Sequence, residues 1–202
     1  MRVFLTFLSL VAFSLKAHGK MGFNSHQISF STGTVSTSYT EKVSELEGST
    51  AEPDSNTATT LPFDITYEFF TGQSRSYFVK GLVPMISPGE ETFFTVSGGI
   101  NFYIKSLSSI GVFKSSEIEL KIVPKWRYFW GINAGIGTLT YTTQTSKELD
   151  QTFEVGLHGG LIYNLSSKWG VRAEGSYNMG TGIKVASTTT MKILLGASYY
   201  LE

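Results

Sequence analysis

The stretch GLHGGLIYNLSSKWGVRAEGSYNMG, residues 156–180, constrains the fold more than any other part of the chain. Leu157, Gly159, Leu161, Tyr163 and Leu165 alternate with Gly156, His158, Gly160, Ile162 and Asn164. After Ser166, Ser167 and Lys168 the alternation resumes. Trp169, Val171, Ala173, Gly175, Tyr177 and Met179 fall on one face, and Gly170, Arg172, Glu174, Ser176 and Asn178 on the other. A period of two means strand, and three polar residues between two such runs mean a tight hairpin. A histidine, an arginine and a glutamate thus share one face of a sheet whose other face is apolar. In a soluble sheet the polar face meets water. In a transmembrane barrel the apolar face meets lipid and the polar face is enclosed.

The opening MRVFLTFLSLVAFSLKAHGK has one early cation, Arg2, then an apolar run from Val3 to Leu15 and a small-x-small pair at Ala17 and Gly19. The run is too short to span a bilayer, which takes about 20 residues. Residues 1–19 are expected to be a secretory signal peptide, with one barrel domain over residues 20–202. Cys is absent, while 21 Gly, 15 Phe and 10 Tyr accompany many Ser and Thr, the composition of an all-β chain. Lys and Arg (16) equal Asp and Glu (16), and no nucleic acid is expected as a partner.

The alternation predicts eight strands: about 25–36, 61–70, 76–85, 92–104, 126–141, the two of the opening hairpin, and 190–201. The polar, acidic segment 37–60 reads as a long mobile loop. Segment 105–125 is irregular. Its EIELKIVP is read as the start of one long fifth strand bent near Pro124, because a ninth strand would put the chain ends on opposite sides of a membrane. Long loops (37–60, 86–91, 142–151, 180–189) then lie on one side and short turns (71–75, 166–168) on the other, as in an outer-membrane meander. The outward set, from Ile28 and Phe30 to Leu195 and Tyr199, holds no charge. The inward set holds Asp64, Glu68, Lys80, Arg127, Glu154, Arg172, Glu174 and Lys192, four acids and four bases, with His158 among them. An eight-stranded barrel is just wide enough to be filled by side chains, and enclosed charges must be paired. The fold class is therefore all-β: an eight-stranded antiparallel up-and-down transmembrane β-barrel with a filled polar interior.

The hairpin GLHGGLIYNLSSKWGVRAEGSYN, the strand YFWGINAGIGTLTY and the end of the chain resemble the small eight-stranded outer-membrane barrels, the OmpA-like and OmpX-like family of Gram-negative bacteria. The resemblance covers nearly the whole chain after residue 19. It implies a location in the bacterial outer membrane, lipid and lipopolysaccharide as neighbours, and delivery by the barrel-insertion machinery. That machinery reads a last-strand signal of Gly followed by alternating aromatic or apolar residues, which Gly196, Tyr199 and Leu201 fit. The family usually ends on an aromatic residue, whereas this chain ends Leu201-Glu202.

Some barrels of this size act on lipid A with a His and a Ser near the outer rim. Here His26 lies at the wrong end. His158 faces inward at mid-strand, sharing its face with Glu154 and Asn164, and no Ser beside it is marked as a nucleophile. The glycine run GINAGIG lacks the spacing and the helix of a phosphate loop, and makes room for large interior neighbours such as Arg127 or Tyr103. The acidic loop lacks the ligand spacing of a calcium site. No catalytic, cofactor or metal residues are expected. The sequence favours a non-enzymatic, plugged barrel with a structural, envelope-integrity or loop-presenting role. A narrow porin-like channel or a lipid-A-modifying enzyme stands as the alternative. Outward Gly81, Gly98, Gly159 and Gly175 leave a homo-oligomer open.

Overall fold

The computed structural model describes residues 26–41, 55–71, 74–86, 92–104, 111–114, 119–122, 124–142 and 147–201. The expected signal peptide and the acidic tract 42–54 lie outside them. The described residues form ten strands: β1 (His26–Glu41), β2 (Ser55–Phe70), β3 (Arg75–Ile86), β4 (Thr92–Tyr103), β5 (Gly111–Lys114), β6 (Glu119–Ile122), β7 (Trp126–Thr142), β8 (Lys147–Asn164), β9 (Trp169–Gly182) and β10 (Val185–Leu201). Eight of them close a barrel in the order β1-β10-β9-β8-β7-β4-β3-β2, with every neighbouring pair antiparallel. Closure leaves no free edge to recruit another chain.

Segment 105–125 departs from expectation. Residues 119–122 do not extend the fifth barrel strand but pair with 111–114 in a separate two-stranded sheet, and β4 pairs directly with β7. Alternation in EIELKIVP marks a strand correctly without saying which strand it joins. Three expected loops are also shorter than read. Residues 35–40 pair with 55–60, 147–151 belong to β8, and only Ile183 and Lys184 separate β9 from β10.

The outer wall carries an apolar band of nearly constant height. It runs from Trp126 to Ile136 on β7, Phe153 to Tyr163 on β8, Trp169 to Met179 on β9 and Met191 to Leu201 on β10, eleven residues in each case. A strand tilted by about 45° crosses the hydrocarbon core in roughly 9–11 residues. Ile193 is 72% exposed, Ile136 65% and Leu157 62%, exposures that suit lipid and not water. Rings gather at the end where β1 begins and β10 finishes. Trp126 packs on Tyr163 (4.6 Å between ring centres), Trp169 on Tyr199 (4.7 Å) and Phe102 on Trp130 (4.8 Å). Tyr67, counted among the outward residues, is covered there by His26, whose ring stacks on it and whose Nδ1 lies 2.6 Å from its hydroxyl.

Toward the opposite end the polarity inverts. Outward positions become hydroxyl-bearing: Ser36, Ser38 and Thr40 on β1, Thr57 and Thr59 on β2, Thr138 and Thr140 on β7, Ser187 and Thr189 on β10. Inward positions become apolar: Val35, Tyr39, Ala58, Leu82, Phe93, Leu139, Tyr141 and Val185 form one buried cluster. A collar of ordinary water-facing barrel thus stands on the lipid-facing part. Its β9–β10 turn is held by Asp150, whose carboxylate accepts the backbone N–H groups of Ile183 (3.1 Å), Lys184 (3.0 Å) and Val185 (2.8 Å). Beside it Lys184 pairs with Glu148, which holds the ammonium above its ordinary range. Asp150→Ala removes an acceptor from three N–H groups. Hydrogen exchange at residues 183–185 is expected to quicken, with a stability loss of about 1.5–3 kcal/mol, the range for a bond to a charged group.

Candidate functional site

The barrel interior is built by strict alternation. Glu68, Asp64 and Lys80 come inward from β2 and β3, Arg127 from β7, His158 and Glu154 from β8, Arg172 and Glu174 from β9, and Lys192 from β10, all of them buried. Four of these join in one relay. Arg172 Nη1 reaches Glu68 at 2.9 Å, and its Nη2 and Nε reach Glu174 at 2.8 and 3.1 Å. The other oxygen of Glu174 pairs with Lys80. Two acids and two bases cancel, and the guanidinium also lies over Phe129, 4.3 Å from the ring centre. Glu68 is completed by donors from Ser76, Asn101 (2.8 Å) and Tyr103 (2.5 Å).

The remaining inward residues are held differently. Among the described residues, Asp64, Glu154 and Lys192 make no ion pair. Glu154 accepts from Thr190 (2.6 Å), Asp64 accepts from Thr66 (2.9 Å), and the Lys192 ammonium sits over Phe93 (5.7 Å). Arg127, 0% exposed, is cradled by rings: Tyr103 at 4.1 Å, Phe70 at 4.9 Å and Tyr200 at 5.8 Å, with an N–H donated to the Tyr200 hydroxyl. Burial forces such partners, because an arginine cannot shed its charge.

His158 is gripped by amides and not by the carboxylates that share its face. Its Nε2 lies 2.5 Å from Asn101 Oδ1 and its Nδ1 3.2 Å from Asn133 Nδ2, while Phe78 meets it edge-on at 5.0 Å. Gly131 makes the room: a Cβ there would stand 2.6 Å from the imidazole. The glycines of β7 therefore clear space for His158, Ser97 and Phe93, not for Arg127 or Tyr103. Both ring nitrogens of His158 therefore face amide side chains.

The polar interior is a band and not the whole lumen. The apolar collar cluster closes it on one side, and Phe70, Tyr103, Phe129 and Ile162 form a second buried cluster toward the other end. Sequence alternation counts both as inward positions but does not reveal that the Lys80–Glu174–Arg172–Glu68 relay lies between them, with Arg127 set among the rings of the second cluster. A cavity of about 10 Å3 lined by Lys80, His158, Glu174 and Lys192 remains, room for about one water molecule. The sequence reading also missed Ser76, Asn101 and Asn133, and named Tyr103 as an interior residue without its bond to Glu68. Each sits at an inward position, which was the available signal. On β10, Tyr199 and Leu201 share the outward face, while Gly196 is inward, where a Cβ would strike the Phe30 carbonyl on β1.

No protein-family model and no curated protein matches the sequence. Solved structures similar in shape include Neisserial surface protein A (12% identity, TM-score 0.49, 85% of this chain and 97% of that one) and the N-terminal barrel domain of OprF from Pseudomonas aeruginosa (11%, 0.45, 84% and 98%). A third is the outer-membrane protein AlkL in lipid bilayers (16%, 0.46, 92% and 94%). In strand number, strand order and inverted polarity, this chain has the fold of the small eight-stranded outer-membrane barrels.

Proposed function

We propose that this is an integral outer-membrane barrel with a sealed interior, acting without catalysis by stabilising the envelope or by presenting its collar and loops to the outside. The observation that carries this reading is the neutral Lys80–Glu174–Arg172–Glu68 relay stacked between two apolar clusters. A diffusion pore needs a continuous wet path, and here side chains fill the lumen. The two amide contacts of His158, with Asn101 and Asn133, support a structural role for it within the interior network. The apolar wall supports lipid as the surrounding phase, and export to the outer membrane through a cleaved leader belongs to the same proposal.

The test is the purified chain folded into planar lipid bilayers. The expected record is a flat baseline with no steady conductance, alongside a β-type circular dichroism spectrum that appears only with detergent or lipid. Steady unitary conductance would replace this reading with the narrow channel. A β spectrum in plain buffer would remove the membrane from the reading altogether.

A further inference from the structure

Two buried groups of the barrel interior lack the hydrogen bonds that their chemistry calls for. The Lys192 ammonium carries three N–H donors, yet it sits over the Phe93 ring (5.7 Å) and reaches no acceptor among the described residues. The second is Asn178, 3% exposed. Its Nδ2 turns to Glu154 Oε2 at 3.5 Å, so Oδ1 is the opposite end of the amide, and that oxygen meets no donor. Gly156 gives it room, since a Cβ there would stand 1.9 Å from the oxygen. The neighbouring carboxylates are already committed. Glu174 holds Lys80 with one oxygen and Arg172 with the other, and Glu154 accepts from Thr190.

Lys192 and Asn178 line the same cavity of about 10 Å3, together with Ser97 and Ser176. Buried polar groups without a protein partner are met by ordered water, and a space of this size admits one water and no more. The donor and acceptor chemistry selects the same occupant. An anion would suit the ammonium but would set a negative charge against the Asn178 carbonyl oxygen, which needs a donor. A metal cation would suit that oxygen but would oppose Lys192 and Lys80. Water accepts from the ammonium and donates to the oxygen at once. The charge count agrees: the four acids and four bases of the inward set already cancel, so balance requires no ion.

We propose that this cavity is a hydration site built into the barrel, holding one water that accepts from Lys192 Nζ and donates to Asn178 Oδ1. The water ties Lys192 of β10, which the relay leaves out, to Asn178 of β9 and through it to Glu154 of β8. The proposal rests on the reading of a sealed interior, because side chains filling the lumen keep the water from exchanging with bulk.

The test is a crystal structure of the chain folded in detergent, from crystals soaked in sodium bromide, at a resolution that shows ordered waters elsewhere. One peak within hydrogen-bond distance of Lys192 Nζ and Asn178 Oδ1, without a bromine anomalous signal, is expected. Asn178→Leu fills the space and removes the acceptor, and the peak should be lost there. Bromine signal in the cavity would overturn the water in favour of an anion site. A cavity without density would overturn it as well, and so would a peak that persists in Asn178→Leu. The parent crystals decide by themselves if that variant does not fold. Density running from the cavity to either end of the barrel would overturn the sealed interior along with the single bound water. An absent peak inside a filled lumen overturns the water alone.

Discussion

Arg172→Ala is expected to destabilise the folded barrel by about 3–5 kcal/mol, the cost of removing one member of a buried ion pair. The arginine holds Glu68 and Glu174 at once, so its loss leaves two enclosed carboxylates against the single ammonium of Lys80. Its stacking on Phe129 goes as well. Urea unfolding in lipid, followed by the heat-dependent gel shift, should show the midpoint falling accordingly. The double variant Arg172→Met with Glu68→Gln restores the balance, leaving Lys80 paired with Glu174. It is expected to recover most of the loss. If the single variant unfolded within about 1 kcal/mol of the parent, water and ions would have to reach the relay, and a sealed interior would be untenable.

The second large effect lies on the wall. Leu157, 62% exposed, sits near the middle of the β8 apolar stretch. Leu157→Arg is expected to cost about 2–4 kcal/mol in a bilayer, the penalty for a cation near the midplane of a barrel wall. Ser38→Arg, on the outward face of the collar, should change stability by no more than about 0.5 kcal/mol, as an ordinary surface substitution does. The pair separates lipid from water as the surrounding phase. An exposed leucine on a soluble protein would take the arginine without loss, and equal unfolding midpoints for the two variants would show it.

The sequence carried the barrel because alternation survives wherever apolar and polar residues contrast sharply, as they do from Leu157 to Met179. It faded in the collar. Along 37–40 and 55–60 the inward row is Thr, Tyr and Ala against Ser and Thr outside, a weak contrast next to an acidic tract, and these strand ends read as loop. The charged interior positions followed from parity alone. Their partners did not, because a strand's neighbours across a barrel are set by register and tilt. His158 meets Asn101 of β4, 57 residues away, while Glu154, four residues away on its own face, bonds to Thr190 instead. In EIELKIVP the local pattern was right and the partner was wrong, since pairing is a non-local choice that a period of two cannot make.

The collar also bears on how the molecule comes together in time. Its apolar filling draws Val35 and Tyr39 from the first strand and Val185 from the last. The seam between them joins Ser29 to Ser198, 169 residues apart, and Thr37 to Thr190, 153 residues apart. Contacts of such separation carry the largest loop-closure entropy and form slowly. Until that seam shuts, the collar's apolar residues have no enclosure and its hydroxyl-bearing exterior has no reason to remain in lipid. The pairing most distant in sequence is thus also the one that completes the enclosure of the collar, so its apolar residues have a full core only when the ring is shut.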